Sequence, residues 1–214
     1  MPSDNFTGAD GTLLGTYSSN WIVKPTPGTI LISGNKAVAN NIVGYPYDVE
    51  TAYWNPSTDV AGTNQWAQGT LKFIGGNGLG GLALYLDTVG QGYGVVYSDN
   101  SSQAFIIRIT DFGGGLSTTS LAADGTQWFD GDVMYFEIDN RVVPGTLTLK
   151  RNGTITATVV DTTYTSGQYG LCMIGADANC GIDAWSAGDL GGSSLNIVNI
   201  ERGIRGFMRG VAGE

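Results

Sequence analysis

The chain has 214 residues, 34 of them glycine, with 10 lysines and arginines against 19 aspartates and glutamates, for a net charge of −9. It has no histidine, which removes Ser–His–Asp and Cys–His chemistry and the commonest transition-metal ligand. The acidic balance argues against binding nucleic acid through its phosphates, and no apolar run approaches the ~18–20 residues of a membrane-spanning helix.

Along the chain, short alternating runs predict about a dozen strands and almost no helix. Ile30 and Ile32 share a face, and Gly34-Asn35 then turns the chain into residues 36–39. Val49–Trp54 reads as a strand. Leu71 and Phe73 share a face, and Leu82, Leu84 and Leu86 form the next inward set. Residues 93–97 follow, then Phe105, Ile107 and Ile109 pointing inward with Arg108 outward. Glycine- and serine-rich clusters separate these runs every 8–14 residues, as a sandwich or jelly roll requires.

The clearest stretch runs from Asp132 to Val160. Met134, Phe136 and Ile138 fall on one face, then Leu147 and Leu149, then Ile155, Ala157 and Val159. Arg151-Asn152-Gly153 is a tight turn, because Asn-Gly supplies the two positive φ angles of a type I′ hairpin. Three antiparallel strands in a row are read as a meander in the middle of a sheet. Phe136, Leu147, Leu149, Phe105, Ile107, Leu82 and Leu84 are the expected core. Cys172 and Cys180 are placed on a hairpin, four residues either side of Ala176. There they form either a cross-strand disulfide or two small buried thiols.

The 132–160 stretch resembles the meander of concanavalin A-like β-sandwiches, which include legume lectins, laminin G-like domains and laminarinase-type glucanases. Asp4-Asn5-Phe6, Gly8-Ala9-Asp10-Gly11 and Trp21 resemble the opening of lectin-like modules in bacterial and phage proteins. Gly170-Leu171 through Ile182-Asp183-Ala184-Trp185 resembles their closing pair, after which the chain returns beside its start. The resemblance covers roughly residues 4–190 and implies an all-β, antiparallel two-sheet sandwich, so residues 1–190 are read as the domain and residues 191–214 as a C-terminal tail beyond it. It also implies an accessory virion protein of a tailed phage, either a capsid decoration, a fibre subunit or a tail component. The N-terminal MPSDNFTG carries no basic segment followed by an apolar core. No signal peptide is expected there, and synthesis in the host cytoplasm fits.

A glycan-binding module on a host surface is the alternative reading. Sugar faces stack on aromatic rings beside amides and carboxylates, and Tyr47, Trp54, Trp66 and Tyr93 are the candidate rings. Glucanases on this scaffold use two same-face carboxylates. Glu137 and Asp139 have that spacing, as do Asp48 and Glu50, but neither pair is followed by the third acidic residue of the motif. No enzyme is expected. Lectin-like domains often hold Ca²⁺, and Asp4, Asp10, Asp183 and Asp189 are the aspartates that the meeting of the chain ends would gather. In the tail, Ile200, Ile204, Phe207, Met208 and Val211 recur at helical spacing among Gly203, Gly206 and Gly210. The segment reads equally as a final strand with a frayed end or as a docking tail; in the second reading Arg202, Arg205 and Arg209, with Phe207 and Met208, are the expected docking residues toward another subunit of a capsid, a tail or a homo-oligomer.

Overall fold

A computed structural model describes residues 1–24, 29–39, 49–55, 62–73, 79–98, 101–111, 115–175 and 180–191, with the backbone alone at Phe73. Its elements begin with β1 (Ser3–Asp4), the single-turn helix α1 (Leu14–Tyr17), β2 (Trp21–Lys24), β3 (Leu31–Ile32), β4 (Ala37–Val38) and β5 (Val49–Trp54). Next come β6 (Gln65–Phe73), β7 (Leu79–Leu86), β8 (Gly92–Ser98), β9 (Gln103–Asp111) and β10 (Leu116–Asp124). The last five are β11 (Val133–Asp139), β12 (Thr146–Arg151), β13 (Thr154–Val160), β14 (Gln168–Ile174) and β15 (Cys180–Asp189).

The strands make two antiparallel sheets. Sheet A runs β13-β12-β11-β6-β15-β4-β3, with β1 also on β15, and sheet B runs β10-β9-β8-β7-β14-β5-β2. This is the all-β sandwich expected from the alternating runs. The chain closes as expected too, since Ser3 pairs with Ser186 and Asp4 with Trp185.

The meander forms as read. Phe136 faces Leu149, and Asn152 and Gly153 take φ of 49° and 83° in the turn. Met134, Phe136, Ile138, Leu147 and Leu149 are fully buried between the sheets with Leu71, Leu82 and Leu84. The meander is nevertheless an edge of sheet A and not its middle, with β13 outermost. A bulge also moves one residue out of the expected face. The register shifts between Leu149 and Lys150, so Ala157 and Val159 stay opposite Leu149 and Leu147 while Ile155 pairs with Lys150 and is 61% exposed. One extra residue in a strand flips every side chain before it to the other face. Ile155→Thr is therefore expected to change the unfolding free energy by less than about 0.5 kcal/mol, the usual range for surface positions. Urea unfolding checks this, and a loss of about 2 kcal/mol or more would return Ile155 to the core.

Sheet B departs from the sequence reading in a second way, because both of its faces are apolar. Ala104 and Ile106 of β9 join the core between the sheets. Ile107 and Ile109, with the partly buried Phe105, pack on the opposite face with Val49, Ala83, Val96 and Cys172. Arg108 is correspondingly on the inward face, opposite Tyr93. Leu86 also leaves the Leu82/Leu84 face for this second cluster, because Tyr85 takes a φ of +57° and breaks the alternation.

Cys172 and Cys180 do not share a hairpin. The chain crosses from sheet B to sheet A between β14 and β15, and both thiols are buried with no disulfide between them. Burial pushes the Cys172 thiol well above its ordinary range.

Candidate functional site

The second apolar cluster occupies the hollow of sheet B. Both edges of that sheet meet at Gly90, in the turn between β7 and β8. A methyl group on Gly90 would lie 2.5 Å from Thr51 Oγ1, 3.0 Å from Lys24 Cβ and 3.1 Å from Leu116 Cδ1. Lys24 is on one outermost strand of the sheet and Leu116 on the other, so the sheet curls until its edges converge on this turn. Asp87 holds the turn by accepting from the amides of Val89, Gly90 and Gln91 at 2.9–3.0 Å. A concave, apolar face is the default place for a ligand; here the residues that line it, Val49, Tyr53, Val96, Ile107 and Ile109 among them, are themselves buried.

The candidate ring residues separate by burial. Trp54 is 8% exposed and packs with Trp21 and Trp185, at ring centroid distances of 5.2 and 5.6 Å. Tyr93 is fully buried, and its hydroxyl donates to Asp161 Oδ1 at 2.6 Å. Burial, reinforced by the Asp161 carboxylate, raises the Tyr93 phenol far above its ordinary value of 10.0. Neither ring offers a face to a sugar, which corrects the expectation for both. Tyr47 lies outside the described residues.

Trp66 is different. Of the five tryptophans, Trp21, Trp54, Trp128 and Trp185 are buried, while Trp66 is half-buried on the outer face of sheet A. Its indole lies 5.8 Å from the Tyr135 ring and within 10° of parallel to it. The other face of the ladder is Lys150, whose Nζ sits 4.7 Å from the centre of the Tyr135 ring. On the β15 side Gly188 gives the indole room, since a Cβ there would lie 3.2 Å from Trp66 Nε1.

Strand register explains why these side chains meet. Tyr135 is directly opposite Gln68 on one side and Lys150 on the other. Glu137 is directly opposite Trp66 and Thr148. Side chains two apart on a strand share a face, and diagonal neighbours are within reach of long side chains. Two parallel rows result. One is Ser186–Gln68–Tyr135–Lys150–Ile155 and the other Gly188–Trp66–Glu137–Thr148–Thr158. Lys150 Nζ lies 2.9 Å from both oxygens of Glu137. Burial, with the Glu137 carboxylate alongside and accepting from its hydroxyl, raises the Tyr135 phenol well above 10.0.

Glu137 and Asp139, the spacing that resembled a glucanase pair, each carry their own cation. Asp139 is clasped by Arg141 through Nε at 2.8 Å and Nη2 at 2.7 Å, which holds its carboxyl below the ordinary 3.8. Glu50 instead caps Thr29, accepting its amide and its hydroxyl at 2.8 Å each. The aspartates considered for Ca²⁺ are engaged separately. Asp4 takes Trp21 Nε1 at 2.8 Å and Tyr17 Oη at 3.0 Å, Asp10 takes the Gly34 amide, Asp183 the Ala184 amide and Asp189 the Gly62 amide. They do not converge, and among the described residues no group of three or more acidic or thiol side chains could hold a metal.

No family model matches the chain, and no curated protein matches it by sequence. Solved structures do. The carbohydrate-binding module CBM66 from Bacillus subtilis superposes with a TM-score of 0.61 at 13% identity, covering 79% of this chain and 96% of that one. The chain has a lectin-like β-sandwich fold. The exoplasmic/lumenal domain of VIP36, solved bound to Ca²⁺ and Man3GlcNAc, gives a TM-score of 0.57 at 10% identity over 93% of this chain and 95% of that one. β-Agarase A in complex with oligoagarose gives 0.55 at 12% identity over 86% and 89%.

Trp66 was legible in sequence as an aromatic beside an amide, in Gln65-Trp66. Its partners were not, because nothing local in the 65–73 stretch indicates that it pairs with residues 133–138. The same register could have been sought by matching the outward positions of each strand, where Tyr135, Glu137 and Lys150 all lie.

Proposed function

We propose that this protein is a non-catalytic glycan-binding module that meets its ligand on the outer face of sheet A, around Trp66 and Tyr135. The observation that carries this reading is the ladder Trp66–Tyr135–Lys150, set among the Gln68 amide and the Glu137 carboxylate. Tyr135 is sandwiched between Trp66 and Lys150, so what the ladder offers a sugar is the exposed rim of the Trp66 indole beside hydrogen-bonding groups of both senses. The fold likeness to a carbohydrate-binding module and to a lectin-type domain supports the reading. Against a hydrolase reading of the agarase likeness stand Glu137 and Asp139, each paired with a neighbouring cation.

Trp66→Ala is expected to weaken glycan binding by about 10–100-fold, the loss of one central aromatic contact, and, because the indole also packs on Tyr135, to lower the melting temperature by a few degrees without unfolding the protein. Glycan-array capture followed by calorimetry on the hits measures it. Purified protein should release no reducing ends from the glycans it captures. Release that Glu137→Gln abolishes would make it a hydrolase. The resemblance to phage lectin-like modules adds a setting, exposure of this face on a virion with residues 191–214 as the attachment. Its residues Arg202, Arg205, Phe207, Met208 and Arg209 lie outside the described residues, and finding the chain on purified particles tests it.

A further inference from the structure

The outer face of sheet A bears on which glycan would bind, given the reading above. A chain end is recognised by enclosing its terminal sugar on several sides, in a concave site. On the concave face of this sandwich the side chains of the second apolar cluster are buried, and both edge strands close on the Gly90 turn. The Trp66 face is the opposite kind of surface. Its two rows cross β15, β6, β11, β12 and β13 in order. At ~4.8 Å between strands the rows extend about 19 Å. A sugar unit in an extended chain is about one strand spacing long, so each row spans roughly four units. The rows are not open throughout, since Gly188 and Thr148 are buried, but they reach the surface at the far end, where Thr158 is exposed and Ile155 is 61% exposed.

Charge narrows the class further. Lys150 is committed to both Glu137 oxygens, and Arg141 to Asp139. The chain as a whole carries −9. A carboxylated or sulfated glycan would meet an acidic body, and the described cations beside the ladder, Lys150 and Arg141, already hold carboxylates.

We propose that the outer face of sheet A takes an internal stretch of an uncharged, extended polysaccharide, about four sugar units long, and not a chain end or an acidic glycan. Binding is built from several weak contacts in line, so affinity depends on ligand length.

The test titrates the full chain with neutral cello-, xylo- and agaro-oligosaccharides, from monosaccharide to hexasaccharide, and with polygalacturonate. The expected result is no saturable binding of monosaccharides, an association constant that rises several-fold with each added unit to about the tetrasaccharide, and a plateau beyond. Ile155→Asp, at an exposed position, should weaken the tetrasaccharide about tenfold and leave the disaccharide unchanged. A mono- or disaccharide bound as tightly as the hexasaccharide would overturn the proposal and leave glycan binding intact. So would polygalacturonate preferred over the neutral ladders with an affinity that falls in salt. If no ladder binds, or if Trp66→Ala leaves binding unchanged, the glycan-binding reading itself fails.

Discussion

Phe136→Ala is expected to lower the unfolding free energy by about 3–5 kcal/mol, the cost of deleting a buried aromatic ring and leaving a cavity. The ring is fully buried and sits mid-strand in β11, between Leu149 on β12 and Ala67 on β6. Ala67 is a single methyl and Gly69, two residues along, has no side chain, so β6 has little with which to refill the space. Leu147, Leu149, Ile138 and Leu82 belong to the same cluster and are held by their own strands. For a domain of this size a loss of that order lowers the melting temperature by roughly 10 °C. Urea and thermal unfolding measure it. A loss below about 1 kcal/mol would mean that β11 does not present Phe136 to the core, and the register of the Trp66 face would fall with it.

The same strand shows what the sequence revealed and why. VMYFEID alternates because one face of β11 is core and the other is open, and period-two patterning reports only that difference. Asn152-Gly153 was legible because few residue pairs accept two positive φ angles. β9 was not legible, since FIIRI is apolar on both faces: one lies between the sheets and the other fills the hollow of sheet B. Alternation cannot say which face is which when both are buried. Local irregularities did the remaining damage. The positive φ at Tyr85 sent Leu86 to the other face, and the bulge in β13 sent Ile155 to solvent. Tyr93 looked exposed because glycines flank it. Yet a Cβ on Gly92 would stand 2.8 Å from the Leu84 carbonyl, so the glycine reflects close backbone packing and not an open loop.

Asp132→Ala is expected to cost about 3 kcal/mol at neutral pH, because it strips the partner from a nearly buried ion pair. Asp132 lies in the turn that leads into β11. Its carboxylate accepts Arg151 Nε at 2.6 Å, the Phe129 amide at 2.8 Å and Asn152 Nδ2 at 2.7 Å. Its backbone carbonyl takes the Leu71 amide at 2.9 Å, so the same residue ties the meander to β6. Arg151 in turn lies over the rings of Phe129 and Trp128, at 5.3 and 5.8 Å. Burial opposes ionisation of Asp132, but the Phe129 amide, Asn152 and Arg151 outweigh it and hold the carboxyl below its ordinary 3.8. Asp161 behaves alike, with burial outweighed by Tyr93, Thr163 and Arg108, and Asp139 is held down by Arg141. Each is a folded-state value below the unfolded one. As pH falls below 3.8 the unfolded chain takes up these protons first, so the folded state loses stability. The contribution is complete above that value and disappears on further acidification. Unfolding midpoints in urea, measured from about pH 6 down to about pH 2.5, should show wild-type stability falling below about pH 4. The gap between wild type and Asp132→Ala should close over the same range. A gap that stays constant to the lowest pH would show that Asp132 acts through the packing of its turn and not through its charge.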